Sequence, residues 1–264
     1  MTKNDLGSDP YIRIKALMAR LRSDCPWDKA QSFETIAPYT IEESYEVADA
    51  IARKDMSALK AELGDLLFQV LFHAQLASEI PDAADSFTLD DVCDSLVDKM
   101  VRRHPHVFAG ADRPDWDAIK HAERTDKGQT SILADIPHAL PELMRAEKLQ
   151  KRAAKTGFDW PNTDGVWDKI HEEMDEVREA INAVQTSGTP EHIEAIEDEI
   201  GDLLFAVTNL ARHHNVQPET ALRRTNAKFT RRFEFIESHA DKPVEKLTLD
   251  EMEILWLQAK AQGL

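Results

Sequence analysis

The sequence predicts an all-α protein made of two copies of one helical unit, and three observations carry that prediction. Only nine glycines and twelve prolines occur in 264 residues. That is sparse for a sandwich or barrel, in which a turn signal recurs every ~8–12 residues. Apolar residues recur with a helical period, and no segment sustains period-two alternation. Finally, the chain repeats itself. GDLLF stands at Gly64–Phe68 and again at Gly201–Phe205, each with a glutamate two positions before its glycine. Further upstream, Glu42–Glu46 and Glu172–Glu176 both read E-E-x-x-E. Downstream, Lys99-Met100-Val101-Arg102-Arg103 answers Lys228-Phe229-Thr230-Arg231-Arg232, and Trp116 with Lys120 answers Trp256 with Lys260. Landmarks in one order indicate duplication. The repeat is far longer than a solenoid unit, so each copy reads as a domain, 1–127 and 128–264, joined near Asp126–Ser131.

The elements follow in chain order. Tyr11, Ile14, Leu17, Met18 and Leu21 line one face of a first helix. Leu63, Leu66, Leu67, Val70, Leu71 and Ala74 mark a strong amphipathic helix. Thr88 followed by Leu89, Val92, Leu96 and Met100 marks another. Residues 137–155, carrying Leu140, Leu143, Met144 and Leu149, open the second copy. Ile200, Leu203, Leu204, Val207, Leu210 and Ala211 repeat the strong helix, with Thr189 and Pro190 as its N-cap and first residue. Glu43 precedes Glu62 by fewer positions than Glu173 precedes Glu199, and the surplus around Gln185–Pro190 reads as a loop. Gly64 and Gly201 stand inside helices, where glycine costs about 1 kcal/mol relative to alanine. Close approach of a helix or ligand is the expected reason. Trp27 and Trp160 read as packing residues leading into the acidic helices, His104-Pro105-His106 as a connector, and His213-His214 as a helix end.

Composition narrows the function classes. With 49 acidic and 32 basic residues, a formal net charge of −17, the chain lacks an electrostatic footprint for nucleic acid. A hydrophobic content of 42% is ample for a core. Apolar runs such as Leu66–Phe68 fall far short of the ~20 residues of a membrane span. The N-terminal residues show no apolar stretch of signal-peptide type. Cys25 and Cys93 have no metal-type spacing and read as free thiols of a reducing compartment, so the cytoplasm is the expected location.

The repeated acids carry the chemistry. Glu173 and Glu176 are three apart on one helix, and Glu199 and Asp202 are three apart on the next. If the two helices form a hairpin, four carboxylates converge. Their repulsion and desolvation are unfavourable unless a cation binds, and all-oxygen donors suit Mg²⁺ or, as a substitute, Mn²⁺. Glu43, Glu46, Glu62 and Asp65 repeat the pattern in the first copy. Glu-rich faces also occur merely as solvated helix surface, but the duplication weakens that alternative. Lys228, Arg231 and Arg232 offer donors to a polyphosphate, or serve only as surface charge. Trp256 and Lys260, one turn apart, set an aromatic face beside a cation, although a tryptophan at this spacing also suits a core. A di-iron bundle would need E-x-x-H, which neither copy has. A non-catalytic binding module is the other alternative, especially for the first copy.

These residues, with the phrases CPWD, TIAPYT-x-EE-x-YEV, ELGDLLFQV, RRHPHVF, GFDW and GDLLFA, resemble the MazG family of bacterial nucleoside triphosphate pyrophosphohydrolases over nearly the whole chain. The resemblance implies tandem all-α NTP-pyrophosphatase domains with a four-helix-bundle metal site completed by a partner subunit. One hairpin supplies only half of such a bundle, so a two-fold homodimer is the expectation, with pairing of the two copies within one chain as the alternative. The resemblance also implies Mg²⁺-dependent hydrolysis of ribo- and deoxyribonucleoside triphosphates to monophosphate and diphosphate, for cleansing or regulating nucleotide pools. By motif, Glu173, Glu176, Glu199 and Asp202 would hold metal, and Lys169, Glu172, Lys228, Arg232, Trp256 and Lys260 would line the nucleotide site. Glu172 or Glu173 would accept the proton of the attacking water. The second copy would be the principal catalytic one. Tyr39 stands in the first copy where the second has Lys169, and Ala195 stands where the family often has a lysine.

Overall fold

A computed structural model describes residues 9–110, 119, 123, 125, 128, 131–187 and 190–264. The chain divides into two compact units, Met1–Ala122 and Glu123–Leu264, and among the described residues all regular structure is helical. Trp116, Lys120, Thr189 and most of the expected linker lie outside the described residues.

In unit 1, α1 (Pro10–Asp24) is capped by Asp9, whose carboxylate accepts from the amides of Tyr11 and Ile12. A short α2 (Pro26–Ala30) leads into α3 (Phe33–Arg53), which opens with a Ser32–Thr35 capping box. Lys54, left-handed at φ 58°, ends α3, and Asp55 at once caps α4 (Met56–Ser78). That two-residue turn folds α3 and α4 into a hairpin. α5 (Leu89–Arg103) begins at a Thr88 cap reinforced by Asp91, and α6 (Pro105–Phe108) follows after His104. Met18, Ile36, Leu71, Phe72, Ala74, Leu76 and Leu89 form the core. Trp27 and Phe68 meet the Phe72 ring edge-on. Trp27 thus packs on one side and stays half open on the other.

Unit 2 comprises α7 (Glu142–Ala154), α8 (Asp164–Ser187), α9 (Pro190–His213), α10 (Pro218–His239) and α11 (Leu249–Ala261). α8 and α9 form the long hairpin, α7 packs across α9 and α10, and α10 pairs with α11. Val166, Ile170 and Ala206, with Leu203 and Leu210 against them, make the hairpin core. A Thr248–Glu251 capping box starts α11.

Two expectations need correction. The surplus residues of the second copy do not form a six-residue loop, because Gln185–Ser187 are the last residues of α8 and Pro190 is the first of α9. The extra length extends the hairpin arms, since proline is disruptive inside a helix but suited to its first turn. Nor does another helix approach Gly64 or Gly201: a Cβ at either would meet nothing within 4 Å. Both glycines lie on hairpin faces that one chain leaves uncovered. Leu63 and Leu67 flank the first, and Ile200 and Leu204 the second, each at least 43% exposed.

Candidate metal and nucleotide site

Helical spacing places Glu173 and Glu199 on facing sides of the α8–α9 hairpin, with Asp202 one turn beyond Glu199. Glu173, Glu199 and Asp202 each offer a carboxylate oxygen, all within 4.8 Å of one another. Glu43, Glu62 and Asp65 make the same arrangement on the α3–α4 hairpin. The sequence pattern predicts four acids per cluster, whereas the structure converges three. Glu176 joins through Glu173, whose carboxylate pushes the Glu176 carboxyl above its ordinary pKa. Glu46 is likewise raised, by desolvation and then by its contact with Glu62. Desolvation, followed by the charges of Asp65, Glu46, Glu62 and Glu42, raises Glu43.

The two clusters differ in their counter-charge. Lys169 Nζ reaches Glu173 at 2.7 Å and Glu172 at 2.8 Å, and these carboxylates raise its pKa. Tyr39 occupies the corresponding place in the first copy, edge-on to Trp27. Glu173 is 3% exposed, and its Oε2 is buried with no hydrogen-bond partner. An orphaned carboxylate oxygen beside two further acids fits a hard divalent cation. Lys169 satisfies only the other oxygen.

A cavity of about 510 Å³ opens beside this cluster, with Lys169, Glu173 and Asp202 in its lining. Its other walls come from Leu133, from α7, from the loop residues Phe158–Trp160 and from α9. Asp159 anchors the loop by accepting from Arg212 at 2.9 Å and pairing with His213. Arg212 holds the Asp159 carboxyl below its usual range. The Trp160 indole rests on Gly165, where an added Cβ would come within 2.2 Å of the ring. Any side chain at Gly165 would displace the indole.

The basic landmarks lie elsewhere in unit 2. Lys228, Arg231 and Arg232 are on α10, and Trp256 and Lys260 are on α11. Arg232 stacks over the Trp256 ring at 5.3 Å and donates from Nε to the Leu264 carbonyl, while Phe229 packs on Trp256 at 5.4 Å. Lys228, Arg231 and Lys260 are exposed. Among the described residues, no hydrogen bond, ion pair or ring contact joins this group to the carboxylates. The sequence reading missed Gln150 and Asn209, buried polar residues of the cavity wall.

The family model for the MazG nucleotide pyrophosphohydrolase domain matches residues 31–108 and 165–235, and each segment encloses one acid cluster. The chain belongs to the MazG family. It is 48% identical over 264 aligned residues to the nucleoside triphosphate pyrophosphohydrolase of Escherichia coli strain K12, covering 95% of this chain and 97% of that protein. It is 40% identical to the nucleoside triphosphate pyrophosphohydrolase/pyrophosphatase MazG of Thermotoga maritima, covering 95% of each. The nucleoside triphosphate pyrophosphohydrolase of Mycobacterium tuberculosis is 40% identical over 150 residues, 54% of this chain and 44% of that one. The duplication read from the sequence is thus a tandem pair of MazG domains.

Proposed function

We propose that this chain hydrolyses nucleoside triphosphates, ribo- and deoxyribo-, to monophosphate and diphosphate, with attack of water at the α-phosphorus. Membership of the MazG family supports the reaction class. One observation carries the site: Glu173, Glu199 and Asp202 converge within 4.8 Å, and the buried Glu173 has an oxygen without a partner. These residues, with Glu176 beside them, would hold Mg²⁺, or Mn²⁺ in its place. When bound, the cation supplies charge neutralisation of the triphosphate and acidification of a water. The chain's own groups do the rest. Glu172 or Glu173 accepts the proton of the attacking water, and Lys169 fixes the orientation of both carboxylates. Lys228, Arg231, Arg232 and Lys260 offset the charge that develops on the leaving diphosphate, with Trp256 beside them.

The C-terminal domain, 128–264, is the principal catalytic copy in this proposal. Its Lys169 is what the cluster Glu43, Glu62 and Asp65, with Glu46, lacks. A homodimer is part of this proposal, supported by the uncovered hairpin faces and by the lack of any contact, among the described residues, between the α10–α11 cations and the acids. A two-fold partner would cover the faces and supply the cations. Two free cysteines accord with the cytoplasm, and no helix among the described residues is long and apolar enough to cross a membrane. Cleansing or regulation of nucleotide pools would be the role. The test incubates the full chain with Mg²⁺ and each triphosphate and resolves the products. Monophosphate with diphosphate is expected, and diphosphorylated nucleoside with orthophosphate overturns the proposal. Glu176→Gln and Asp202→Asn should abolish turnover with helicity unchanged, and retained activity in both would refute the ligand assignment.

A further inference from the structure

The cavity beside Glu173 carries two polar groups that folding leaves unused. Gln150, 7% exposed, donates from Nε2 to the Phe205 carbonyl at 2.8 Å. That bond fixes the amide orientation, because a carbonyl only accepts. Gln150 Oε1 is then a buried acceptor with no partner. Asn209, 6% exposed, accepts from Arg212 Nε through Oδ1 at 2.8 Å, so its Nδ2 remains a donor without a partner. The remaining wall is aromatic, and one part of it is unexplained by folding. Phe158 is 82% exposed although its neighbour Asp159 is pinned to α9. Trp160 presents one ring face to Gly165 and is 42% exposed.

One donor, one acceptor and flat apolar walls, next to a cluster suited to a cation–phosphate group, are the complement of a nucleobase. We infer that this cavity takes the base of the substrate, with Asn209 Nδ2 and Gln150 Oε1 reading its polar edge and Phe158 and Trp160 flanking it. The inference rests on the nucleotide reading above and names the part of the ligand each wall receives. The duplication supports it. Alignment on GDLLF sets Asn209 against Phe72 and Ala206 against Gln69. Phe72 is fully buried, with Trp27 and Phe68 packed against its ring. At that position the first copy thus has packed core where the second has the polar Asn209 of its cavity wall. Gln150, Phe158 and Trp160 also lie outside the segments that the family model matches, so the family assignment does not itself assign them.

The experiment compares the full chain with Asn209→Leu, which keeps the branched shape and removes the donor together with the acceptor of the Arg212 bond, and with Phe158→Ser, at a surface where folding is not at stake. Steady-state kinetics with ATP, GTP, CTP and UTP are measured beside calorimetric binding of the four nucleoside monophosphates, which needs no turnover. Asn209→Leu should shift the ratio of kcat/KM between the best and worst bases by about tenfold or more. Phe158→Ser should raise KM for all four by about fivefold or more, with kcat little changed. Both should weaken monophosphate binding in parallel. Hydrolysis and binding that stay within twofold of the parent for every base in both variants overturn the inference, whatever Trp256→Ala does. A parent chain that binds monophosphates in a manner dependent on Asn209 yet releases no diphosphate upholds the pocket and refutes the hydrolase reading instead.

Discussion

Replacing Glu173 by glutamine tests the cation site without altering the basic residues of α10 and α11. Glu173 and Glu199 are a buried and a half-buried carboxylate with oxygens within 4.8 Å. At an effective dielectric of 20, two such charges repel by about 3.5 kcal/mol, and by about 1 kcal/mol if water screens them fully. Glu173→Gln removes that repulsion but also removes a charged partner of Lys169, which keeps Glu172. In chelator the variant should therefore unfold within about 1 kcal/mol of the parent. Added Mg²⁺ separates them. Above the dissociation constant each tenfold increase in free Mg²⁺ stabilises the bound state by about 1.4 kcal/mol. Unit 2 spans about 140 residues, and its unfolding entropy near 60 °C is about 0.3 kcal/mol per kelvin. The parent's melting temperature should thus climb by about 4–5 °C per decade of Mg²⁺. In Glu173→Gln the climb should start at concentrations at least about tenfold higher. Differential scanning calorimetry of the two full chains across the same titration makes the comparison, and the untouched cluster of unit 1 contributes equally to both. A parent whose unit 2 transition ignores Mg²⁺, or a variant whose climb starts at the same concentration, refutes the argument.

Three further outcomes are expected. Phe72→Ala, at a site 0% exposed and held by two aromatic neighbours, should cost unit 1 about 3–5 kcal/mol in denaturant unfolding and leave unit 2 unchanged. Arg22 holds the Glu79 carboxyl below its usual range. The folded pKa is the lower one, so this stabilisation is complete above the unfolded value of about 4.3 and is lost as pH falls through the folded value. Thermal unfolding of Arg22→Met followed from pH 6 to pH 3 should fall less steeply than that of the parent. Tyr39→Lys should give Glu43 the counter-charge that Glu173 has in the second copy. A carbon-detected NMR titration should then show the Glu43 carboxyl moving down from its raised value.

What the sequence made legible is what has a period or a cap. The helices around Leu89–Met100 and Ile200–Leu210 follow from spacing, and Thr88 and Asp91 form a capping box three residues apart. The acid clusters were legible for the same reason, because positions three apart share a helix face. The loop placed at Gln185–Pro190 failed because threonine, serine and glycine signal local preference only, and a long amphipathic hairpin overrode it as far as Ser187. Gln150 and Asn209 escaped notice because a polar residue inside a helix is silent about which way it faces. A signal for Asn209 was nonetheless present, since its counterpart in the duplicate is a phenylalanine. The basic group was legible as residues but not as a place. Nothing in the spacing of Lys228, Arg232 and Trp256 tells whether α10 and α11 bring them to the acids of their own chain.

The duplicate copies show which physical requirements are separable. A carboxylate trio needs only two facing helices with acids at the right register, and both hairpins meet that condition. Holding the trio at neutral pH without a cation is costly in each. The second copy offsets part of that cost with Lys169, whereas in the first desolvation, and then the charges of Asp65, Glu46, Glu62 and Glu42, raise the Glu43 pKa. A hydrogen-bonding cavity needs much more: small side chains where a core would otherwise grow, a fixed aromatic wall, and polar groups held out of internal pairing. Ala206, Trp160 seated on Gly165, and the amides of Gln150 and Asn209 meet those needs in the second copy. In the first, Phe72, with Trp27 and Phe68 against its ring, turns the position of Asn209 into packed core. Phe72 and Tyr39 are therefore the two residues whose exchange for asparagine and lysine would bring the first cluster nearest to the second. The stability lost at Phe72 measures how much of the first copy's core replaced the second's cavity.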